Sequence, residues 1–177
     1  MAIGPDDFKK AMGEFTDKDL LPSYPCDITP GSITDEALIQ PTLQDVRTNS
    51  DCLDYLSNAS KELRADLLNY ILHEYKSWTP VGQRYDYVDA GCIARSIILS
   101  YKTGKLTGFP EFFTRCELLI GLRDPNVHEF VVIGMFETIQ NLCGWHGVDY
   151  HRGFDRWLGP ESKIAWHELI DFWERKP

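Results

Sequence analysis

Apolar residues return every three to four positions through most of the chain beyond Ser50, and this helical period limits the fold more than any other feature. Leu63, Leu67, Ile71, Tyr75 and Trp78 make one stripe across Ser60–Trp78, widened by Leu68 and Leu72, as the buried face of an amphipathic helix does. Thr79-Pro80 should end that helix, because a residue ahead of proline avoids helical backbone angles. In Tyr85–Tyr101 the recurring set is Ile93, Ile97 and Tyr101 beside Ala94 and Ile98, with Gly104 and Gly108 closing the segment. Pro110 suits the first turn of a helix over Pro110–Leu122, with Glu111 near its positive end. Asn126 and Glu129 have capping-box spacing for the next helix. That helix, Val127–Leu142, is apolar almost all round through Val131, Val132, Ile133, Met135 and Phe136, which predicts the central buried helix. Gly134 inside it costs about 1 kcal/mol against Ala and therefore points to a closely approaching neighbour. Gly159-Pro160 opens a last helix, Glu161–Glu174, whose Trp166, Leu169, Ile170 and Trp173 fill one face. No run alternates as a strand would. The expected fold is an all-α, single-domain bundle of about five to seven helices.

The first fifty residues read differently. They hold Pro5, Pro22, Pro25, Pro30 and Pro41, half of the prolines, and a net charge of −5 out of −9. A short helix fits Pro5–Phe15, where Phe8, Met12 and Phe15 share a face, and Leu21–Gly31 reads as an extended, turn-rich connector. A second short helix across Asp35–Val46 would be interrupted by Pro41. Residues 1–50 are thus expected to form an irregular acidic arm packed on a helical core of residues 51–177.

The charge balance excludes one class of partner. With 27 acids against 18 Lys and Arg, the chain lacks the basic face that a phosphate backbone requires, so no nucleic acid is expected. An acidic surface steers towards basic partners instead, although many proteins are mildly acidic for solubility alone. No apolar run reaches the roughly 18 residues needed to span a bilayer, so no membrane association is expected. The opening residues lack a signal-peptide pattern, and Cys26, Cys52, Cys92, Cys116 and Cys143 form an odd set without CxxC spacing. A reducing cytoplasm without disulfides is the expected setting.

The candidates for chemistry are few. Cys143, His146 and His151 are suitable zinc ligands by type, but their spacing fits no familiar zinc pattern. Cys143 with His146 as base would need a lowered thiol pKa, which nearby Asp149 opposes. Phosphate loops, dinucleotide fingerprints and nucleophile elbows are all lacking. No catalytic residue, metal or cofactor is therefore expected. What remains is acidic and aromatic residues interleaved in Tyr85-Asp86-Tyr87-Val88-Asp89 and again through Trp145–Trp157. Exposed Tyr and Trp beside carboxylates suit the gripping of a basic protein surface, whereas the plainer alternative is that they begin and end core helices.

Several stretches in the carboxy-terminal half carry a resemblance: Glu117–Gly121, Val131–Asn141, Trp157–Lys163 and Trp166–Glu174. Together this text resembles a family of small bacterial helical proteins, several of which lie beside polymorphic or contact-dependent toxins and are taken to be their immunity proteins. The resemblance covers about half of the chain, and its motifs are structural, so it carries over no catalytic residue. It implies a protein that binds a cognate toxin and occludes its active site or substrate surface. The interface residues expected on residue type are Asp86, Tyr87 and Asp89 at one helix start, and Asp149, Tyr150, Asp155 and Trp157 around the last turn and helix. The alternatives are a small helical enzyme, such as a metal-dependent hydrolase reversing a toxin's modification through Asp86, Asp89 and Glu137, or a regulatory adaptor domain.

Overall fold

A computed structural model of the chain describes residues 16–76 and 84–175. All regular structure among them is helical: six helices joined by turns, preceded by a run of four short 3-10 turns. The helices are α1 (Asn49–Ser57), α2 (Lys61–Tyr75), α3 (Asp86–Thr103), α4 (Phe109–Gly121), a composite α5 (125–146) and α6 (Pro160–Glu174). The all-α bundle expected from periodicity is the observed fold. The proposed helix over Pro5–Phe15 lies outside the described residues, as do Trp78, Thr79 and Pro80.

Local chemistry sets the ends. Thr48 caps α1 and Ser60 caps α2, each hydroxyl accepting the backbone N–H three residues on. α2 stops at Tyr75, where Lys76 turns left-handed at φ 54°. Gly104, at φ 72°, ends α3 as the sequence implied. At α5 the cap is not Asn126. Asp124 takes that place, its carboxylate accepting from Asn126 N (2.9 Å) and Val127 N (3.1 Å), with Pro125 opening the helix.

Helix α5 runs as α-helix over Pro125–Glu129, widens to a π-helix over Phe130–Glu137, and resumes as α-helix over Thr138–His146. Phe130, Val131, Met135, Phe136 and Ile139 along it are fully buried, so it is central as expected, although Ile133 faces solvent. Gly134 allows this packing: a Cβ there would lie 3.0 Å from the Phe130 ring and 3.4 Å from the Tyr87 ring. α3 is equally central and packs against α1, α2 and α5. Its Ile93, Ile97 and Ile98 are buried with Leu53, Leu56 and Leu67 from α1 and α2. Each such side chain contributes about 1.5–3 kcal/mol on burial.

The last helix is held at its start by a distant carboxylate. Glu117 of α4 accepts from Glu161 N (3.0 Å), Ser162 N (2.7 Å) and Ser162 Oγ (2.6 Å). A Cβ on Gly159 would meet Glu117 Cδ at 2.5 Å, so glycine is what lets this cap close. Burial opposes the Glu117 charge, but the Ser162 hydroxyl and the two amides hold its carboxyl below the ordinary value.

Residues 16–48 lie along α2 and α3, fastened mainly by polar contacts. Asn69 clamps both backbone groups of Ile28 at 2.9 Å, Asp35 pairs with Lys61 at 2.8 Å, and Asp17 pairs with Lys102. Leu20, Ile33 and Val46 are the buried apolar anchors of the segment. The helix expected over Asp35–Val46 is instead two 3-10 turns, Glu36–Leu38 and Leu43–Asp45, on either side of Pro41.

Candidate interaction surface

The start of α3 carries three of the seven candidate residues, and the structure separates their roles. Tyr85 and Val88 are 70% and 66% exposed, beside Asp86 and Tyr87. Tyr87 lies edge-on against Phe130 with ring centroids 5.3 Å apart, and its hydroxyl donates to Glu129 Oε1 at 3.4 Å. Burial, then the Glu129 charge, pushes the Tyr87 phenol up, so it stays a neutral donor. Asp86 accepts from Ser50 Oγ at 2.6 Å. The Tyr87 ring is therefore fixed on the π-helical part of α5, and Glu129 and Ile133 extend the same exposed face. π-helical turns often mark functional positions because they re-aim side chains.

Asp89 does not belong to that surface. The expectation that side chains at this helix start stay reachable fails for it, because Asp89 is fully buried. Its carboxylate accepts from Tyr70 OH (3.0 Å), Tyr75 OH (2.9 and 3.0 Å) and Arg84 Nε (3.1 Å). Tyr75 OH also accepts from the backbone N–H of Tyr85 (3.0 Å). Asp89 thus organises the residues that lead into α3. One signal could have shown this: Asp89 stands four positions before Ile93, on the same apolar stripe.

The other four candidates gather at the far end of α3. Gly153 and Phe154 lie against Tyr101, and the helical rise puts Tyr101 about 21 Å from Tyr87. Asp149 is exposed and shapes its own turn, accepting from His151 N (2.9 Å) and Arg152 N (3.3 Å). Tyr150 donates to Glu174 Oε1 at 2.8 Å and stacks on His151, whose Nε2 lies 3.1 Å from the same carboxylate oxygen. Burial, with Glu174 beside it, pushes the Tyr150 phenol up to about 12. Asp155 is half-buried between Lys163 (3.0 Å) and His167 (2.8 Å); burial opposes its charge, but its hydrogen bonds with these two side chains hold the carboxyl below the usual range. Trp157 is a wall of the core, 4.8 Å from the Phe109 ring, and Arg156 covers its outer side at 4.0 Å. The seven residues form no single patch.

The last turn of α6 departs from the burial that its periodicity implies. Trp166, Leu169 and Ile170 are buried as the periodicity implied, but Trp173 on the same stripe is 60% exposed. Phe172, also exposed, meets it edge-on with centroids 5.1 Å apart. The apolar stripe is longer than the core it packs on.

Among the described residues, no three His, Cys, Asp or Glu side chains converge as metal ligation requires, so Cys143, His146 and His151 do not share a site, nor do Asp86, Asp89 and Glu137. Cys143 is fully buried, and burial pushes its thiol pKa up, away from thiolate chemistry. No helix of the described residues is long and apolar enough to cross a membrane. Compared with protein families, curated proteins and solved structures, the chain matches none.

Proposed function

We propose that this chain is an immunity protein that binds a basic bacterial toxin in the cytoplasm and blocks its active site or substrate surface. The observation that carries the reading is the set of exposed side chains Tyr85, Tyr87, Val88, Glu129 and Ile133, with half-buried Asp86 beside them. Tyrosine supplies large contact area at low entropic cost, and here the Tyr87 ring is ordered in advance by Phe130 and Glu129. The net charge of −9 favours a cationic partner and speeds its approach. The resemblance of the carboxy-terminal half supplies the word toxin; composition and surface chemistry supply only a basic protein.

Co-expression with the toxin encoded beside its gene is the test. Rescued growth and a complex stable through gel filtration are expected, and Glu129→Lys should weaken binding by at least about 2 kcal/mol if this face is the interface centre. Absence of both rescue and complex refutes the reading. Rescue without a stable complex would favour the enzymatic alternative, and stable binding to a host protein the adaptor.

A further inference from the structure

The start of α2, the end of α3 and the turn into α4 enclose a cavity of about 390 Å³. Leu63, Ile97 and Phe109, all buried, give it an apolar floor. Glu62, Leu63 and Asp66 share one face of α2, and Ile97, Ser100 and Gly104 share one face of α3, so the lining is a single groove. Ser96 Oγ donates to Asp66 Oδ2 at 2.7 Å and ties the two helices beside it. Glu62 and Lys105 stand exposed at its rim.

The half-buried carboxylate of Asp66 is undersupplied with donors. Asp89 collects Tyr70, Tyr75 and Arg84, and Glu117 collects two amides and the Ser162 hydroxyl. Asp66 has the Ser96 hydroxyl alone among the described residues, and its Oδ1 has no donor. Burial outweighs that one bond and pushes the carboxyl up. The neighbouring cations are committed elsewhere: Lys61 pairs with Asp35 and Arg64 with Asp54, both at 2.8 Å, and Arg95 lines a separate hollow with Lys18 and Tyr24. A carboxylate drawn out of water above an apolar floor is complemented by a cation that carries apolar surface of its own.

We propose that this groove binds a small primary ammonium compound, the ammonium donating to Asp66 and the hydrocarbon body lying on Leu63, Ile97 and Phe109. Glu62 adds a second negative charge one turn away on α2, and Ser100 offers a hydroxyl acceptor from α3. Lys105 at the rim repels a second amine and attracts a carboxylate. A simple amine and an amino acid are thus two sources of the same chemistry. None of these residues belongs to the Tyr87 face, so the site stands whether or not a toxin is bound.

Isopentylamine, leucine and the neutral isostere isopentyl alcohol are the probes, titrated into the isotopically labelled full-length chain and followed by amide chemical shifts. At least one of the two ammonium compounds should bind saturably with a Kd of about 1 mM or tighter, and the alcohol at least tenfold more weakly. The shifts should centre on Asp66, Ser100 and Lys105. Asp66→Asn, which keeps an acceptor for Ser96, should weaken binding at least tenfold. Ser100→Leu, which fills the groove from a half-exposed helix position, should abolish it, while exposed Glu168→Gln should change it less than twofold. Tighter binding of leucine, lost with Lys105→Ala, assigns the groove to amino acids; tighter binding of the amine, kept or improved by that substitution, assigns it to simple amines. Equal binding of the alcohol, shifts centred elsewhere, or binding retained by both Asp66→Asn and Ser100→Leu overturns the proposal. So does the lack of saturable shifts from either ammonium compound at tenfold higher concentration. Should Asp66→Asn fail to fold, the alcohol comparison and Ser100→Leu decide alone.

Discussion

Replacing Asp89 by alanine tests whether one buried carboxylate organises the entry to α3. The carboxylate is fully buried and receives Tyr70 OH, Tyr75 OH and Arg84 Nε. Removing it leaves the Arg84 guanidinium, only 11% exposed, with Asp86 as its nearest carboxylate at 3.9 Å. Arg84 Nη2 already lacks a hydrogen-bond partner, so the cation has little else to fall back on. Breaking a buried pair by deleting one member costs about 3–5 kcal/mol, because the other charge stays buried without compensation. Asp89→Asn keeps one acceptor oxygen for the tyrosines but replaces the negative oxygen facing Arg84 with a neutral amide, for about 1–3 kcal/mol. Urea denaturation followed by circular dichroism measures both, with exposed Glu168→Ala as a control expected within about 0.5 kcal/mol. The paired variant Arg84→Met with Asp89→Leu should recover part of the loss, since apolar replacements of buried ion pairs are often tolerated. A cost for Asp89→Ala no larger than for Glu168→Ala would refute the reasoning.

The Glu117 cap predicts that Glu117→Ala destabilises by about 1–3 kcal/mol, and Gly159→Ala by a similar amount through steric conflict with the carboxylate. Because the folded Glu117 carboxyl is held below the ordinary glutamate value of 4.5, its contribution is complete above that pH and is lost as pH falls through the lower folded value; the stability gap between wild type and Glu117→Gln should close on acidification in denaturation curves. Gly144 has open space at its Cβ, so Gly144→Ala should stabilise α5 by about 0.5–1 kcal/mol, whereas Gly134→Ala should fall short of that gain because Phe130 must give way. Cys26 is exposed, while Cys52 and Cys92 are buried with thiols pushed up to about 12; native labelling with a thiol reagent should therefore modify Cys26 and spare the other four cysteines until denaturant is added.

Much of the fold was legible because each helix must hide one face. The stripes through Leu63–Tyr75, Ile93–Tyr101 and Trp166–Ile170 place α2, α3 and α6 within a few residues of their observed bounds. What escaped depends on partners distant along the chain. The Glu117 cap joins residues 44 and 45 positions apart, and no local spacing announces it. Asp89 stands at a helix start, where side chains ordinarily stay reachable, yet its position on the stripe of Ile93 and Ile97 indicates burial. Trp173 was read as core because of its position, although nothing in a periodic pattern tells where the neighbouring elements end. The π-helical stretch Phe130–Glu137 is an apolar run too short for periodicity to separate it from an α-helix. Of the candidate site, the acidic-aromatic start of α3 was legible, while the division of the seven residues between two ends of α3 was not.

The most direct test of the account is the association of the purified chain with its toxin, followed by stopped-flow fluorescence across a range of ionic strength. A basic partner steered by an acidic surface should associate more slowly as salt rises, and charge reversal at Glu129 or Asp171 should reduce both the rate and its salt dependence. An association rate indifferent to salt and to both reversals would contradict the claim that this helical scaffold presents acidic and aromatic surface to a cationic protein.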